Sequence, residues 1–161
     1  MITEMEHESA LAGEPAGAFQ TDNRIATMNF AKSNQRWMLV DDNLEMLKLL
    51  PSLLKQFTTA LVECHDSPQS ALSAYASAPH NYELVITDFD MPGMNGLELC
   101  RQLRAITARQ KVFLATGSGY FSNIAAANAG FNALLQKPFP IVALRRALEA
   151  VGLTNTMNRR A

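Results

Sequence analysis

The chain has 161 residues, 48% hydrophobic and 18% charged, enough to bury the core of one ordinary domain and too apolar for a highly charged disordered polymer. Fourteen Lys and Arg against fifteen Asp and Glu leave a formal charge of −1, which argues against the basic excess that polyanion binding needs to release counterions, so direct DNA binding is not expected. Cys64 and Cys100 lie far apart with no zinc-ligand or disulfide spacing, and no apolar run reaches the roughly 20 residues that cross a bilayer, so no membrane association is expected.

Residues 1–34 carry Glu4, Glu6, Glu8, Glu14 and Asp22 against only Arg24 and Lys32, with few large apolar groups; this predicts a disordered N-terminal tail. Its start, MITEMEHESA, is acidic where a signal peptide is basic and then apolar, and a cytoplasmic location is expected. Met28 offers a second point at which the folded unit can begin. The folded unit is placed at 35–152, followed by a short C-terminal tail at 153–161.

Five apolar runs recur within that unit: WMLV at 37–40, ALVEC at 60–64, ELVIT at 83–87, KVFLA at 111–115 and NALLQ at 132–136. Each reads as a strand, and the stretches between them have helical spacing. Leu44, Leu47, Leu50, Leu54 and Phe57 form the first helical stripe, with Pro51 inside it. A proline there removes a backbone hydrogen bond at about 3 kcal/mol, so a kink or broken turn is expected. Ser67 and Pro68 read as cap and first position of the second helix, ahead of Ala71, Leu72 and Tyr75. Gly96 opens a third, with Leu97, Leu99, Cys100, Leu103 and Ile106 as its inward candidates. A plain segment, NIAAANAG, supplies the fourth, and Ile141, Leu144, Leu148 and Val151 share one face of the last. Strand and helix alternating five times, with nearly continuous apolar strands, predict a doubly wound α/β domain: a five-stranded parallel sheet with helices on both faces.

Functional crevices of such sheets lie beyond the carboxyl ends of the strands. Polar residues recur there: Asp41-Asp42-Asn43, Thr87-Asp88, Thr116-Gly117-Ser118 and Gln136-Lys137-Pro138. Clustered carboxylates repel unless a cation sits among them, and hard oxygen ligands suit Mg²⁺, which is commonly completed by phosphate oxygens. Lys137 adds a point charge and Thr116 a hydroxyl donor, both suited to a phosphoryl group, and Asp88, flanked by metal and lysine, reads as the nucleophile of an aspartyl phosphate. Taken singly these residues have plainer readings. Asp41 and Asp42 can cap a helix, and Thr116 can be a turn residue. His7, His65 and His80 have no metal-ligand partners in the sequence and read as surface residues, Trp37 and Met38 as core, and Arg145 and Arg146 as a solvated helix face.

The four motifs VDDN, TDFDMPGMNG, ATGS and LLQKPF, in this order at strand ends, resemble the receiver domain of two-component response regulators over about 35–152. The resemblance implies a flavodoxin-like sheet of order 2-1-3-4-5. It implies that Asp88 takes a phosphoryl group from a histidine kinase or histidine phosphotransfer protein, with Mg²⁺ held by Asp41, Asp42, Asp88 and the backbone carbonyl of Asp90. Thr116 and Lys137 then bond the phosphoryl group, Pro92 and Gly96 shape the loop after Asp88, Asp90 and Ser118 tune its lifetime, and Pro138 follows a cis peptide bond. A signalling phosphoacceptor is implied rather than an enzyme acting on a separate substrate.

With few residues after Val151, a stand-alone receiver is expected, whose output passes to a downstream protein, or to a homodimer, through the fourth helix, fifth strand and fifth helix. One position departs from the family. The aromatic residue usual three before the lysine is Leu134, which cannot switch by ring rotation; either Phe121, Phe131 or Tyr120 substitutes, or the output is muted. Two alternatives stand beside this reading. One is a receiver-fold adaptor that docks without switching; the other is a haloacid-dehalogenase-like phosphatase, suggested by Asp88-Phe89-Asp90 but at odds with an acidic pair that precedes the nucleophile.

Overall fold

Strands this apolar are stable only when covered on both faces, and the short helical segments between them supply the cover. The computed structural model describes residues 35–119 and 121–153; the expectations for the N-terminal tail, Met28, His7, Tyr120 and residues 154–161 lie outside the described residues. The strands are β1 (Arg36–Val40), β2 (Leu61–His65), β3 (Tyr82–Thr87), β4 (Val112–Thr116) and β5 (Ala133–Gln136). All pair in parallel, in the order β2-β1-β3-β4-β5, as expected of a flavodoxin-like sheet. The helices are α1 (Leu44–Leu54), α2 (Pro68–Ser77), α3 (Gly96–Ile106), α4 (Asn123–Asn128) and α5 (Ile141–Ala150).

Alternation along β1 divides the core in two. Met38 and Val40 pack with Ala71 and Tyr75 of α2, Leu99 and Leu103 of α3, and Ala126 of α4. Trp37 and Leu39 face the other way, onto Leu50 and Leu54 of α1 and Leu144 and Leu148 of α5. Local chemistry starts the helices where they are needed: the side chains of Asn43, Ser67, Asn95 and Ser122 each accept a hydrogen bond from a first-turn amide of α1 to α4.

Three expectations are corrected. Of the kink or broken turn expected at Pro51, the broken turn does not occur: helix α1 is continuous over Leu44–Leu54. The carbonyl of Leu47, which a residue other than proline at 51 would have engaged, accepts instead from the Cys64 thiol of β2, with Sγ 3.8 Å away. Leu44, Ile106 and Ile141 remain 57%, 45% and 41% exposed, because each is the terminal residue of its helix and packing neighbours run out on one side. His65 is not a surface residue: its side chain is largely covered. Its ring nitrogens lie 2.8 Å from Ser70 Oγ and 3.1 Å from Glu63 Oε1.

Glu63 sits at the centre of a polar ladder on edge strand β2, where Arg36 donates to it at 2.9 Å and the Tyr82 hydroxyl at 3.1 Å. Burial alone would raise its pKa; hydrogen bonds from Tyr82, Arg36 and His65 outweigh burial and hold the carboxyl below the usual glutamate range. Charged groups facing inward on an edge also discourage pairing with a foreign strand.

Candidate functional site

Asp41 and Asp88 are the first residues beyond two adjacent central strands, so parallel pairing of β1 with β3 brings them side by side. Asp41 is buried; its amide donates to the His65 carbonyl at 3.1 Å, and its Oδ1 accepts from the Asn43 amide at 2.9 Å. The capping role belongs to Asn43, whose Oδ1 accepts from the Glu45 amide. Asp41 is thereby free to present its other oxygen to the crevice, beside the exposed Asp42.

The backbone of Asp88 is fixed from both sides: its amide donates to the Val40 carbonyl at 2.9 Å, and its carbonyl accepts from the Thr87 hydroxyl at 2.9 Å. The chain returns so closely at the start of α3 that a Cβ on Gly96 would stand 2.2 Å from the Asp88 carbonyl oxygen, which only glycine permits. Gly93, at φ +79°, makes the preceding turn with Pro92.

One oxygen from each of Asp41, Asp42 and Asp88 lies within 4.8 Å of the others. Lys137 reaches into this group from the end of β5, bonding Asp41 and, at 3.1 Å, Asp88 Oδ1. The amide of Lys137 donates to the Thr116 carbonyl at 2.9 Å, tying the β4 and β5 ends together, and the bond to Pro138 is cis. Burial pushes the Asp88 carboxyl above the ordinary aspartate pKa; Lys137 opposes this by hydrogen bond and charge, and Asp41 adds to it by repulsion. A carboxyl that resists ionisation beside two other acids is a group in want of a cation. The three acids, all hard oxygen donors with one lysine already compensating two of them, fit a small divalent ion such as Mg²⁺.

The remaining candidates fall less tightly together. Thr116 is buried at the end of β4, its Oγ1 accepting from the Ser118 amide at 3.1 Å. Asp90 is exposed, and its carboxylate is not one of the three that converge. Leu134 stands apart, half-buried in the wall of a cavity of about 450 Å³ between α4 and α5, with Phe131, Ala126, Ala143 and Arg146. Phe131 is buried, while Phe121 packs edge to face on Phe89, their ring centroids 4.7 Å apart. Sequence reasoning placed Asn43 and Thr87 at the strand ends without their roles, as helix cap and as donor to the Asp88 carbonyl, and missed the Phe89–Phe121 pair. Only Asn43 carries a local signal, an Asn just before a helical stripe.

A family model described as the response regulator receiver domain matches residues 38–149, and the chain belongs to that family. It is 34% identical over 152 residues to the virulence sensor protein BvgS of Bordetella bronchiseptica, covering 89% of this chain but only 12% of that protein. A probable histidine kinase 4 of Oryza sativa subsp. japonica is 39% identical over 72 residues, 45% of this chain and 7% of the relative. Among solved structures, a receiver domain protein from Clostridium thermocellum is 26% identical with a TM-score of 0.66, covering 73% of this chain and 94% of that one. The response regulator TrrA of Thermotoga maritima, solved with Mg²⁺ and a beryllium fluoride, is also 26% identical, with a TM-score of 0.63, covering 71% and 96%. The chain is thus a receiver domain of two-component systems, a family distinct from the haloacid-dehalogenase-like phosphatases.

Proposed function

We propose that the chain is a phosphoacceptor in a histidine-to-aspartate relay. In the transfer, an Asp88 carboxylate oxygen attacks the phosphorus of a phosphohistidine on a histidine kinase or phosphotransfer protein; the new P–O bond forms as the P–N bond breaks, and the imidazole leaves to take up a proton. The observation that carries this reading is the convergence of Asp41, Asp42 and Asp88 around one point, with Lys137 Nζ 3.1 Å from Asp88. Likeness to a sensor protein and to a probable histidine kinase supports the same place in a relay.

Asp41, Asp42, Asp88 and the Asp90 carbonyl would hold Mg²⁺, which when bound neutralises the oxygens of the incoming phosphoryl group. Lys137, now shared between Asp41 and Asp88, would pair with a phosphoryl oxygen once the charge on Asp88 is esterified. Thr116 would turn its hydroxyl from the Ser118 amide to another such oxygen. Exposed Leu44 and Ile141, close along the chain to Asp41 and Lys137, offer the donor protein apolar contacts beside the crevice. Output to a downstream protein, or to a second copy, would use α4, β5 and α5, where the cavity beside Leu134 opens. A cytoplasmic location and signalling without a separate substrate belong to this proposal, and slow self-catalysed hydrolysis would end the signal.

Incubation with acetyl phosphate and Mg²⁺ tests it by intact mass. The wild-type chain should gain one phosphoryl group, lost in Asp88→Asn and in the absence of Mg²⁺. An equal gain in Asp88→Asn would overturn it.

A further inference from the structure

Leu134 cannot report the state of Asp88 by turning a ring, yet the structure joins Asp88 to α4 by another route. Phe89 follows Asp88 directly, and its carbonyl accepts from the Gly96 amide at 2.9 Å, so its backbone belongs to the phosphoacceptor loop. Its ring meets the edge of Phe121 at 4.7 Å between centroids, with the planes at 62°, the favoured geometry for an aromatic pair. Phe121 immediately precedes Ser122, whose hydroxyl caps α4 by accepting from the Ala125 amide at 3.1 Å.

Among the described residues between Thr116 and Ser122, Phe121 is the one large apolar side chain, and a Cβ on Gly117 or Gly119 would meet nothing within 4 Å. Helix α4 buries only Ala126, and it borders the cavity of about 450 Å³ beside Leu134. Phe89, Phe121 and Leu134 pack against the same half of the core. A helix with one buried side chain and an open volume beside it shifts at little packing cost. Among the described residues, the Phe89–Phe121 ring pair joins its N-terminal end to the phosphoacceptor loop.

Building on the phosphoacceptor reading, we infer that Phe89 and Phe121 are positioning residues that couple the phosphoryl state of Asp88 to the placement of α4. When the Thr116 hydroxyl leaves the Ser118 amide, the loop loses one of its ties, and the Phe121 ring, held on Phe89, sets where α4 comes to rest beside Leu134. A ligand at Asp88 shifts α4 only through contacts that differ between the two states, and the ring pair supplies one.

The test is amide NMR of the full chain, with Mg²⁺ and beryllium fluoride as a stable mimic of the acyl phosphate. In the wild type, addition should move the amides of Asp88, Thr116 and Lys137 together with those of Asn123–Asn128. In Phe121→Ala the first group should move as before, while the α4 displacement falls to about a fifth or less. Phe121→Leu, which keeps apolar bulk without the ring, should lose at least about half of it, and Phe121→Tyr should restore it. Trp37 fluorescence verifies that each variant is folded. Full α4 displacement in Phe121→Ala or in Phe121→Leu overturns the inference and leaves the phosphoacceptor reading standing. A wild-type chain with no response at Asp88 overturns both.

Discussion

Burial raises the pKa of Asp88, Lys137 opposes the rise, and the neighbouring Asp41 adds to it. For a carboxyl whose folded pKa lies above its unfolded one, the sign of the linkage is fixed: ionisation favours the unfolded chain. The cost is absent below the ordinary aspartate pKa, grows as pH rises through the folded pKa and is complete above it. Asp88→Asn should therefore stabilise the metal-free protein at about pH 7, by about 2–4 °C in Tm, and the gain should shrink toward zero near about pH 4. Thermal unfolding of both proteins in a chelator across this range measures it; a gain that grows on acidification would contradict the burial argument. Such a gain from replacing a charged group is what the proposed cation and phosphoryl site implies.

Glu63 in edge strand β2 behaves in the opposite sense. Its pKa is held down against burial by Tyr82, Arg36 and His65, so its stabilisation is present above the ordinary glutamate pKa and is lost as pH falls through the folded value. Glu63→Gln should cost about 1 kcal/mol near neutral pH, measured by urea unfolding, with the difference from wild type narrowing in acid. Helix α1 offers a different test. Pro51 leaves the Leu47 carbonyl to a weak thiol donor 3.8 Å away, so Pro51→Ala restores an amide donor at the cost of nothing the fold requires. A stabilisation of about 1–3 kcal/mol is expected, read as a higher urea midpoint at unchanged m. Together the two substitutions probe the thiol and the carboxyl by which β2 engages the elements around it.

Assembled, the domain places three acids and a lysine from three strand ends on one rim, and a ligand that joins them should tighten the whole fold. Mg²⁺ at about ten times its Kd should stabilise the protein by about 1.4 kcal/mol, by mass action on the folded state alone. Asp42→Asn removes an exposed carboxylate and no packing, so, if Asp42 holds the ion as proposed, it should leave the metal-free Tm near that of the wild type while shifting the Mg²⁺ titration to higher concentration. Equal titrations for the two proteins would remove Asp42 from the ion's ligands.

Strands β1 to β5, the sheet type and the acids at the strand ends were legible because each rests on a short-range rule: apolar runs mark buried strands, and a parallel sheet gathers residues at its carboxyl edge. Asp41, Asp88 and Lys137 needed no more than that. The ends of the helical stripes misled, since Leu44, Ile106 and Ile141 keep the period of a buried face where the packing surface stops. His65 with Glu63 and Ser70, Cys64 with the Leu47 carbonyl, and Phe89 with Phe121 bring together groups that periodicity cannot pair. Patterning records which side of an element is buried; which distant atom it meets depends on how crossovers, caps and side-chain volumes settle against one another in three dimensions.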